Sequence, residues 1–348
     1  GVCVGGHANI TAIGDFVPMT AGSSMMLAGP PLLRTKMGIE TTLEELGGAR
    51  KHVEQSGMAD LLVADDKQCI DKIKEFLSYL PDNCQQTPPL KKTRDNPNRR
   101  CDNLMDVVPS DLRFAYDIKK VITSIIDDGQ HFEMQPAFAQ NVVTTLARMD
   151  GRVVGIIANQ PAHMSGTLDV RACRKICRFI NFCDCFGIAL IFLQDVPGYY
   201  PGPQSELEGI IRWSTRLLYE IGHTTVPRFT VMLRKAFGLA HYGMNSLGME
   251  PDMIVAWPLA SFSAISPDDA VQIMFGKQLA AAEDGAERKR ELIAEFEQKT
   301  TILPAAEAAV VDDVIDPRDT RKVLIKALEM AKNRRQGHTF KRRGITPI

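Results

Sequence analysis

The sequence predicts an α/β protein built from two copies of one supersecondary unit, and three observations carry that prediction. Apolar runs of buried-strand type alternate with segments of helical period, the pattern of a mostly parallel sheet flanked by helices. A small-residue turn follows a short apolar segment twice, at Val4-Gly5-Gly6-His7-Ala8 and at Gly238-Leu239-Ala240-His241-Tyr242. The segments after each turn also correspond in order, as the halves of a duplicated unit do.

In the first half the turn opens a helix-like stretch and leads to an extended Ser24-Met25-Met26-Leu27-Ala28, closed by Gly29-Pro30. Gly57-Met58-Ala59-Asp60-Leu61-Leu62 then precedes an amphipathic helix expected from Cys69 to Leu80. In the second half the turn leads to Met253-Ile254-Val255-Ala256-Trp257-Pro258, and Val310 to Pro317 precedes a helix from Arg321 to Ala331. Val323, Leu324, Ala327 and Leu328 fall on one face of that helix, the three-four spacing of a packed surface. Only the second copy has upstream elements. These are a buried strand from Arg152 to Asn159, a helix from Leu168 to Phe186, and a second buried strand from Ile188 to Gln194 that ends at Asp195. The first copy begins at its turn, so the first domain is expected to lack its N-terminal part.

The stretch from about Asp82 to Asp106 is polar, aperiodic and proline-bearing, with Pro88-Pro89, Lys91-Lys92 and Asn96-Pro97-Asn98-Arg99-Arg100, and reads as a linker. The expected organisation is residues 1–86 as the C-terminal part of a first domain, 87–106 as linker, 107–333 as a second domain and 334–348 as a basic tail.

Composition narrows the class. Charged residues are 24% and hydrophobic ones 45% of 348 residues, ordinary for a globular protein, and the formal net charge is -1. No strong field draws such a chain as a whole to nucleic acid or anionic lipid. Neither a membrane-spanning run nor a secretory leader is read in it, which points to the cytoplasm or, in a eukaryote, the mitochondrial matrix. Of the eight cysteines, Cys173, Cys177, Cys183 and Cys185 form CxxxC and CxC spacings in one apolar stretch. Those spacings suit buried reduced thiols better than a zinc knuckle, so no metal is expected.

The turns are the candidate chemistry. Glycine permits unusual backbone angles and close approach of a ligand to main-chain N–H groups. The first N–H groups of a helix have no internal partner, and an adjacent pair can hold an oxyanion such as a thioester enolate. Gly5-Gly6 supplies such a pair, and Leu239-Ala240, preceded by Gly238, occupies the same place in the second copy. A tight packing turn would read the same way, and the recurrence brings the two readings level. Asp195-Val196-Pro197-Gly198-Tyr199-Tyr200 follows the C-terminal end of a buried strand, where open α/β sheets put ligands. Its two tyrosines either offer flat faces to a ring-bearing ligand or pack into an interface. His7 and His241 stand at matching positions beside the turns and either cap and pack or act as bases. His163 lies in a loop. No nucleophile elbow, phosphate loop or dinucleotide fingerprint is present, and no carboxylate pair is singled out by spacing.

Several runs resemble the carboxyltransferase (beta) subunits of propionyl-, acetyl- and 3-methylcrotonyl-CoA carboxylases, a similarity that covers essentially the whole chain. They are Gly155-Ile156-Ile157-Ala158-Asn159-Gln160-Pro161, Phe182-Cys183-Asp184-Cys185-Phe186, Asp195-Val196-Pro197-Gly198, Glu44-Glu45-Leu46-Gly47-Gly48-Ala49, Pro97-Asn98-Arg99-Arg100-Cys101 and the tail from Lys341 to Ile348. The resemblance implies tandem crotonase (ClpP/crotonase-like) spiral domains, with active sites between the N-domain of one subunit and the C-domain of another. It implies dimer-built hexamers and a partner biotin carboxylase with a biotinyl carrier domain. It implies that the amides at Gly5 and Gly6 hold the oxygen of a coenzyme A thioester and those at Leu239 and Ala240 the biotin ureido oxygen. Val196, Pro197, Gly198 and Tyr199 would border biotin, and His7, Gly166, Gly238 and Tyr242 the substrate. The expected reaction moves a carboxyl group from carboxybiotin to the enolate of a short or branched acyl-CoA such as propionyl-CoA. A biotin-dependent decarboxylase subunit or a non-catalytic scaffold would share the same frame. Leu239 stands where most relatives have Gly, so its side chain must point away from biotin or narrow the pocket.

Overall fold

The structure is a computed structural model that describes residues 1–83, 85–281 and 284–332; the basic tail lies outside them. In the first half, β1 (Val2–Val4), β2 (Pro18–Thr20), β3 (Ser24–Met26) and β4 (Leu61–Val63) form two short parallel pairs, β1 with β3 and β2 with β4. The second half contributes β5 (His131–Met134), β6 (Val142–Met149), β7 (Arg152–Asn159), β8 (Ala189–Val196), β9 (Arg228–Phe237), β10 (Met253–Ala256), β11 (Ser261–Ser263) and β12 (Asp313–Val314) to one sheet. Its order is β12-β10-β9-β8-β7-β6-β5, with β11 paired to the end of β9. The pairs from β7 to β12 are parallel, and β5-β6-β7 is an antiparallel meander at one edge.

The two halves repeat at the level of single hydrogen bonds. β1 and the last three residues of β9 each pair in parallel with the strand two ahead, β3 and β11. β2 with β4 corresponds to β10 with β12. Asp60 accepts from Val17 N at 2.7 Å while its own N–H donates to Val17 O at 2.8 Å; Asp312 makes the same pair with Ile254, both at 2.8 Å. Isolated antiparallel bridges also match, Ser24 with Gly48 and Ser261 with Thr301. The helix Asp66–Leu77 then answers Thr320–Ala331. The first of these starts three residues before the expected Cys69, because the Asp65 side chain caps it by accepting from Gln68 N at 2.8 Å. The first extended segment ends at Met26 rather than Ala28.

The continuous apolar run of β7 and β8 suits strands covered on both faces. The helix Val170–Cys185 lies on one face, capped by Asp169, which accepts from Ala172 N at 2.8 Å. It buries Ile176, Phe179, Ile180 and Cys183, each large apolar side chain contributing roughly 1.5–3 kcal/mol. Gly155 lets that helix approach: a Cβ there would sit 2.6 Å from Cys183 Sγ, so Gly155→Ala would force the layers apart. The opposite face is covered by Ile118–Ile125 and Thr320–Ala331, with Val121, Ile122, Leu324 and Leu328 in the core beside Trp257.

The two halves share one core. Phe76 stacks on Phe16 with ring centres 4.5 Å apart and lies against Phe132 and Phe182 of the second half. The stretch 87–106 differs from a free linker. Arg99 donates to the carbonyls of Ser124 and Ile126 at 2.8 and 3.0 Å, satisfying the open C-terminal end of a helix, and Cys101 and Leu104 are buried. Its polar composition reflects this strapping role, which is invisible to periodicity. Among the described residues no helix is long and apolar enough to cross a membrane.

Candidate functional site

The two turns are built alike. Gly5 has φ 64° and ψ -129°, and Gly238 φ 61° and ψ -166°, angles that an L side chain rarely adopts. Each glycine donates its N–H at 3.0 Å to the adjacent parallel strand, Gly5 to Met26 O and Gly238 to Ser263 O. A helical segment opens immediately after, Gly6–Ala12 in the first half and the tighter Leu239–Met244 in the second.

This register fixes which amides are free. Gly5 is equivalent to Gly238, so Gly6 corresponds to Leu239, His7 to Ala240 and Ala8 to His241. The N–H groups of Leu239 and Ala240 have no acceptor among the described residues, and neither do those of Gly6 and His7. The Gly5 N–H is engaged by Met26 O, so in the first half the free pair lies one residue later than Gly5 and Gly6. Gly5 makes the turn; Gly6 and His7 present the donors. A single mispaired residue, His7 against His241, hides the shift in the sequence.

The histidines therefore differ. His7 is exposed, whereas His241 is buried, with Nδ1 2.6 Å from Ser246 Oγ and its ring edge-on to Phe262. Burial pushes His241 down to about 4, so it is neutral at physiological pH and packs rather than titrates. His163 is exposed in its loop.

The loop after β8 lies beside the second turn. Val196 pairs with Ala236 two residues before Gly238, and Gln194 Nε2 donates to His241 O at 3.4 Å. Leu168 N donates to Gly198 O at 3.0 Å and Tyr200 N to Leu168 O at 2.9 Å, which lays the loop along residues 166–168. Val196 is fully buried, and Pro197 and Gly198 are half-buried. Tyr199 is not the open platform its sequence suggests. Its ring packs on the main core, its hydroxyl lies where a Cβ on Gly243 would come within 2.6 Å, and burial pushes its pKa strongly up. Tyr200 carries the exposed ring of the pair. Gly166 is also buried: a Cβ there would meet Asp195 O at 2.9 Å, so it serves close packing of two loops. Tyr242 is half-buried against His241, ring centres 4.0 Å apart, and over Gly248. Leu239 is 57% exposed, whereas Ala240 is buried.

No hydrogen bond, ion pair or strand pairing joins the first turn to the second among the described residues. A cleft of about 540 Å³ lined by Tyr79, Lys91, His131 and Arg148 contains neither of them. Gly6 and His7 are both exposed, whereas in the second pair Leu239 is exposed and Ala240 is buried. Among the described residues no group of His, Cys, Asp and Glu is placed to hold a metal, and the thiols of Cys173, Cys177 and Cys183 are buried and unpaired, burial pushing Cys177 up to about 12.

Comparison with known proteins places this geometry in context. Residues 1–345 match the profile of the carboxyl transferase domain. The chain is 41% identical over its whole length to the propionyl-CoA carboxylase carboxyltransferase subunit of Haloferax mediterranei, covering 68% of that protein. It is 38% identical to the methylmalonyl-CoA decarboxylase subunit alpha of Veillonella parvula, covering 67% of it. A crystal structure of the transcarboxylase 12S hexamer, with methylmalonyl-coenzyme A and methylmalonic acid bound, superposes with a TM-score of 0.91 at 39% identity over 99% of this chain and 66% of that one. The chain thus spans about two thirds of the length of the relatives it matches.

Proposed function

The chain belongs to the carboxyl transferase family, and on that premise we propose that, within its full-length protein, it moves a carboxyl group between biotin and a short acyl-CoA of the propionyl class. The carrying observation is the pair of unpartnered amide N–H groups at the same place in each repeat, Gly6 with His7 and Leu239 with Ala240.

Two donors converging on one oxygen stabilise charge that develops there. Gly6 and His7 hold the thioester oxygen of the acyl-CoA, so loss of the α-proton gives an enolate whose charge rests on that oxygen. Leu239 and Ala240 fit the ureido oxygen of biotin, because both N–H groups lack any acceptor among the described residues and Leu239 is exposed rather than packed into the core. Carboxybiotin, when presented there, supplies CO2 and a ureido nitrogen that takes the α-proton. The enolate carbon then bonds to CO2, and no side chain of this protein needs to act as base. That agrees with His241, the histidine beside the second pair, being buried and neutral. The Val196-Pro197-Gly198 loop borders the biotin side, with the exposed ring of Tyr200 beside it.

Gly6, His7 and Leu239 are exposed, and nothing among the described residues joins the two pairs within one chain, which favours an active site completed by a second copy in a homo-oligomer. A partner carrying biotin carboxylase and the biotinyl carrier domain would supply the donor, in a reducing compartment that keeps the buried thiols free. The 38% identity to a methylmalonyl-CoA decarboxylase subunit favours one second reading, the same chemistry run toward decarboxylation.

Gly6 gives a clean test. A Cβ there meets nothing within 4 Å and its backbone angles suit any residue, so Gly6→Val leaves the fold intact and obstructs only the approach of a ligand. With the full-length protein, a carboxybiotin donor and a panel of acyl-CoAs, the parent transfers carboxyl and Gly6→Val loses on the order of 100-fold. Unchanged turnover in the variant contradicts the assignment of this amide. Release of CO2 from methylmalonyl-CoA without net carboxylation of any acyl-CoA selects the decarboxylase reading.

A further inference from the structure

β8 and β9 run in register until Gln194, which pairs with Met232. The next pair is Val196 with Ala236, so β8 advances two residues while β9 advances four. The extra length falls at Leu233, Arg234 and Lys235. It coincides with a change of partner: β9 pairs with β10 up to Met232 and with β11 from Lys235. Bulges of this kind bend a strand and re-aim the residues beyond it. Here Gly238 comes three residues after Lys235, and the Leu239–Ala240 amides come directly after Gly238.

A fully buried ion pair sits inside the irregularity. Asp195 and Arg234 are both 0% exposed, with Arg234 Nε donating to Asp195 Oδ2 at 2.9 Å. Asp195 Oδ1 accepts from Lys235 N at 3.2 Å, and Asp195 N donates to Asn159 Oδ1 at 3.1 Å. Asn159 Nδ2 in turn donates to Gly166 O at 2.9 Å, which connects the ends of β7, β8 and β9. Arg234 Nη1 donates to the carbonyls of Pro109, Asp111 and Phe114 at 3.0 to 3.2 Å, and the Tyr116 ring lies 4.7 Å from its guanidinium. The cluster is nevertheless incomplete: Arg234 Nη2 is buried without a hydrogen-bond partner.

An ion pair taken out of water and left with an orphaned donor is a poor source of stability; well-packed apolar residues of similar size often do as well or better. Its place in the fold explains its presence instead. We propose that Asp195 and Arg234 are positioning residues: they hold β9 in its shifted register against β8 and thereby aim the Leu239–Ala240 amides beside the Val196–Gly198 loop. Neither touches a reacting atom. The inference rests on the reading of those amides as donors to biotin, and it deepens that reading by naming what sets their direction.

The test uses the full-length protein with Arg234→Met and Asp195→Asn combined. That pair removes the charges of Asp195 and Arg234, keeps an oxygen to accept from Lys235 N, and leaves Lys235 Nζ, 3.7 Å from Asp195 Oδ1, without its carboxylate. The double variant is expected to melt below the parent, because that ammonium and the carbonyls of Pro109, Asp111 and Phe114 lose their partners. Carboxyl transfer to free biotin is expected to fall on the order of 100-fold in kcat/KM for biotin, while KM for the acyl-CoA stays within about twofold. Amide hydrogen exchange across Phe237 to Tyr242 is expected to rise on the order of 10-fold, with exchange across Val4 to Asn9 unchanged. A merely structural pair would leave that local contrast absent. A folded variant with parental transfer and parental exchange overturns the proposal. If the parent itself transfers nothing but exchange at the second turn still rises selectively, the functional reading fails and the positioning stands. Should the double variant not fold, Arg234→Lys, which keeps the charge and loses the fork to three carbonyls, is read by the same measurements.

Discussion

The first turn and the second are the same local object with unequal support. Gly5 and Gly238 share a positive φ and a 3.0 Å hydrogen bond to a parallel strand, and each opens a helical segment whose first two amides are free. Yet Gly6 and His7 are both exposed, whereas Ala240 is buried just beyond a ten-residue strand that is itself buried along its whole length. Local backbone chemistry makes the donor pair; packing around it decides how freely it can relax. β9 is bonded on both sides, by β8 and by β10 and β11.

Valine at either glycine gives the largest effects. A β-branched residue at φ near +60° is a severe outlier, costing about 1–3 kcal/mol. Both Gly5→Val and Gly238→Val are expected to lower carboxyl transfer on the order of 100- to 1000-fold in the full-length protein. Their thermal effects should separate: strain at Gly238, next to the buried Ala240, spreads into the main sheet and lowers Tm by about 5 °C, while strain at Gly5, next to the exposed Gly6 and His7, relaxes into solvent and lowers it by less than about 2 °C. Equal shifts would mean that the two turns relax equally.

The pH dependence of stability should carry opposite signs in the two halves. Burial raises Asp60, in the first half, to about 6, with the Arg178 guanidinium pulling the other way. The folded state therefore holds its proton more tightly than the unfolded chain, and this contribution is lost as pH rises from about 4 through 6. His241, in the second half, is lowered to about 4 by burial. There the unfolded chain takes the proton first, so stability is lost as pH falls from about 6.5 through 4. Denaturant titrations between pH 4 and 7 should show Asp60→Asn flattening the first trend and His241→Gln the second. Retention of both trends in both variants would assign them to other groups.

The smallest effect is expected at Leu239. Its side chain is mostly exposed, so Leu239→Ala should change unfolding free energy by less than about 0.5 kcal/mol. A larger loss would show that the side chain packs on something.

How much of this is legible in the sequence divides in the same way between local and distant causes. The positive-φ turns are legible because only glycine sits easily there, and the repeat because Asp60 and Asp312 precede matching strands. The fold class, with β7, the helix Val170–Cys185 and β8 in order, comes from apolar runs and period, and tandem crotonase-type units are what the related carboxyltransferase structures have. The sequence reads Gly5 and Gly6 as the donor pair of the first half; that the Gly5 N–H is engaged by Met26 O could not be read from it, since the bond is made by a strand about twenty residues away. Tyr199 and Gly166 read as ligand contacts in the sequence because their burial depends on Gly243 and Asp195, which no local pattern reveals. The strap at 87–106 and the irregularity at Arg234 are illegible for the same reason: both answer to carbonyls elsewhere in the chain.

A backbone N–H at the first helical residue of the second turn is central to the proposed chemistry, and Leu239→Pro addresses it most directly. Proline is tolerated at that position and Gly238 before it is extended in ψ, so the change removes one donor with little strain. In the full-length protein, with Leu239→Ala as control for the side chain, carboxyl transfer to and from biotin should fall on the order of 100- to 1000-fold while acyl-CoA affinity is kept. A Leu239→Pro protein that is folded and transfers carboxyl at the rate of Leu239→Ala would contradict the role given to that amide.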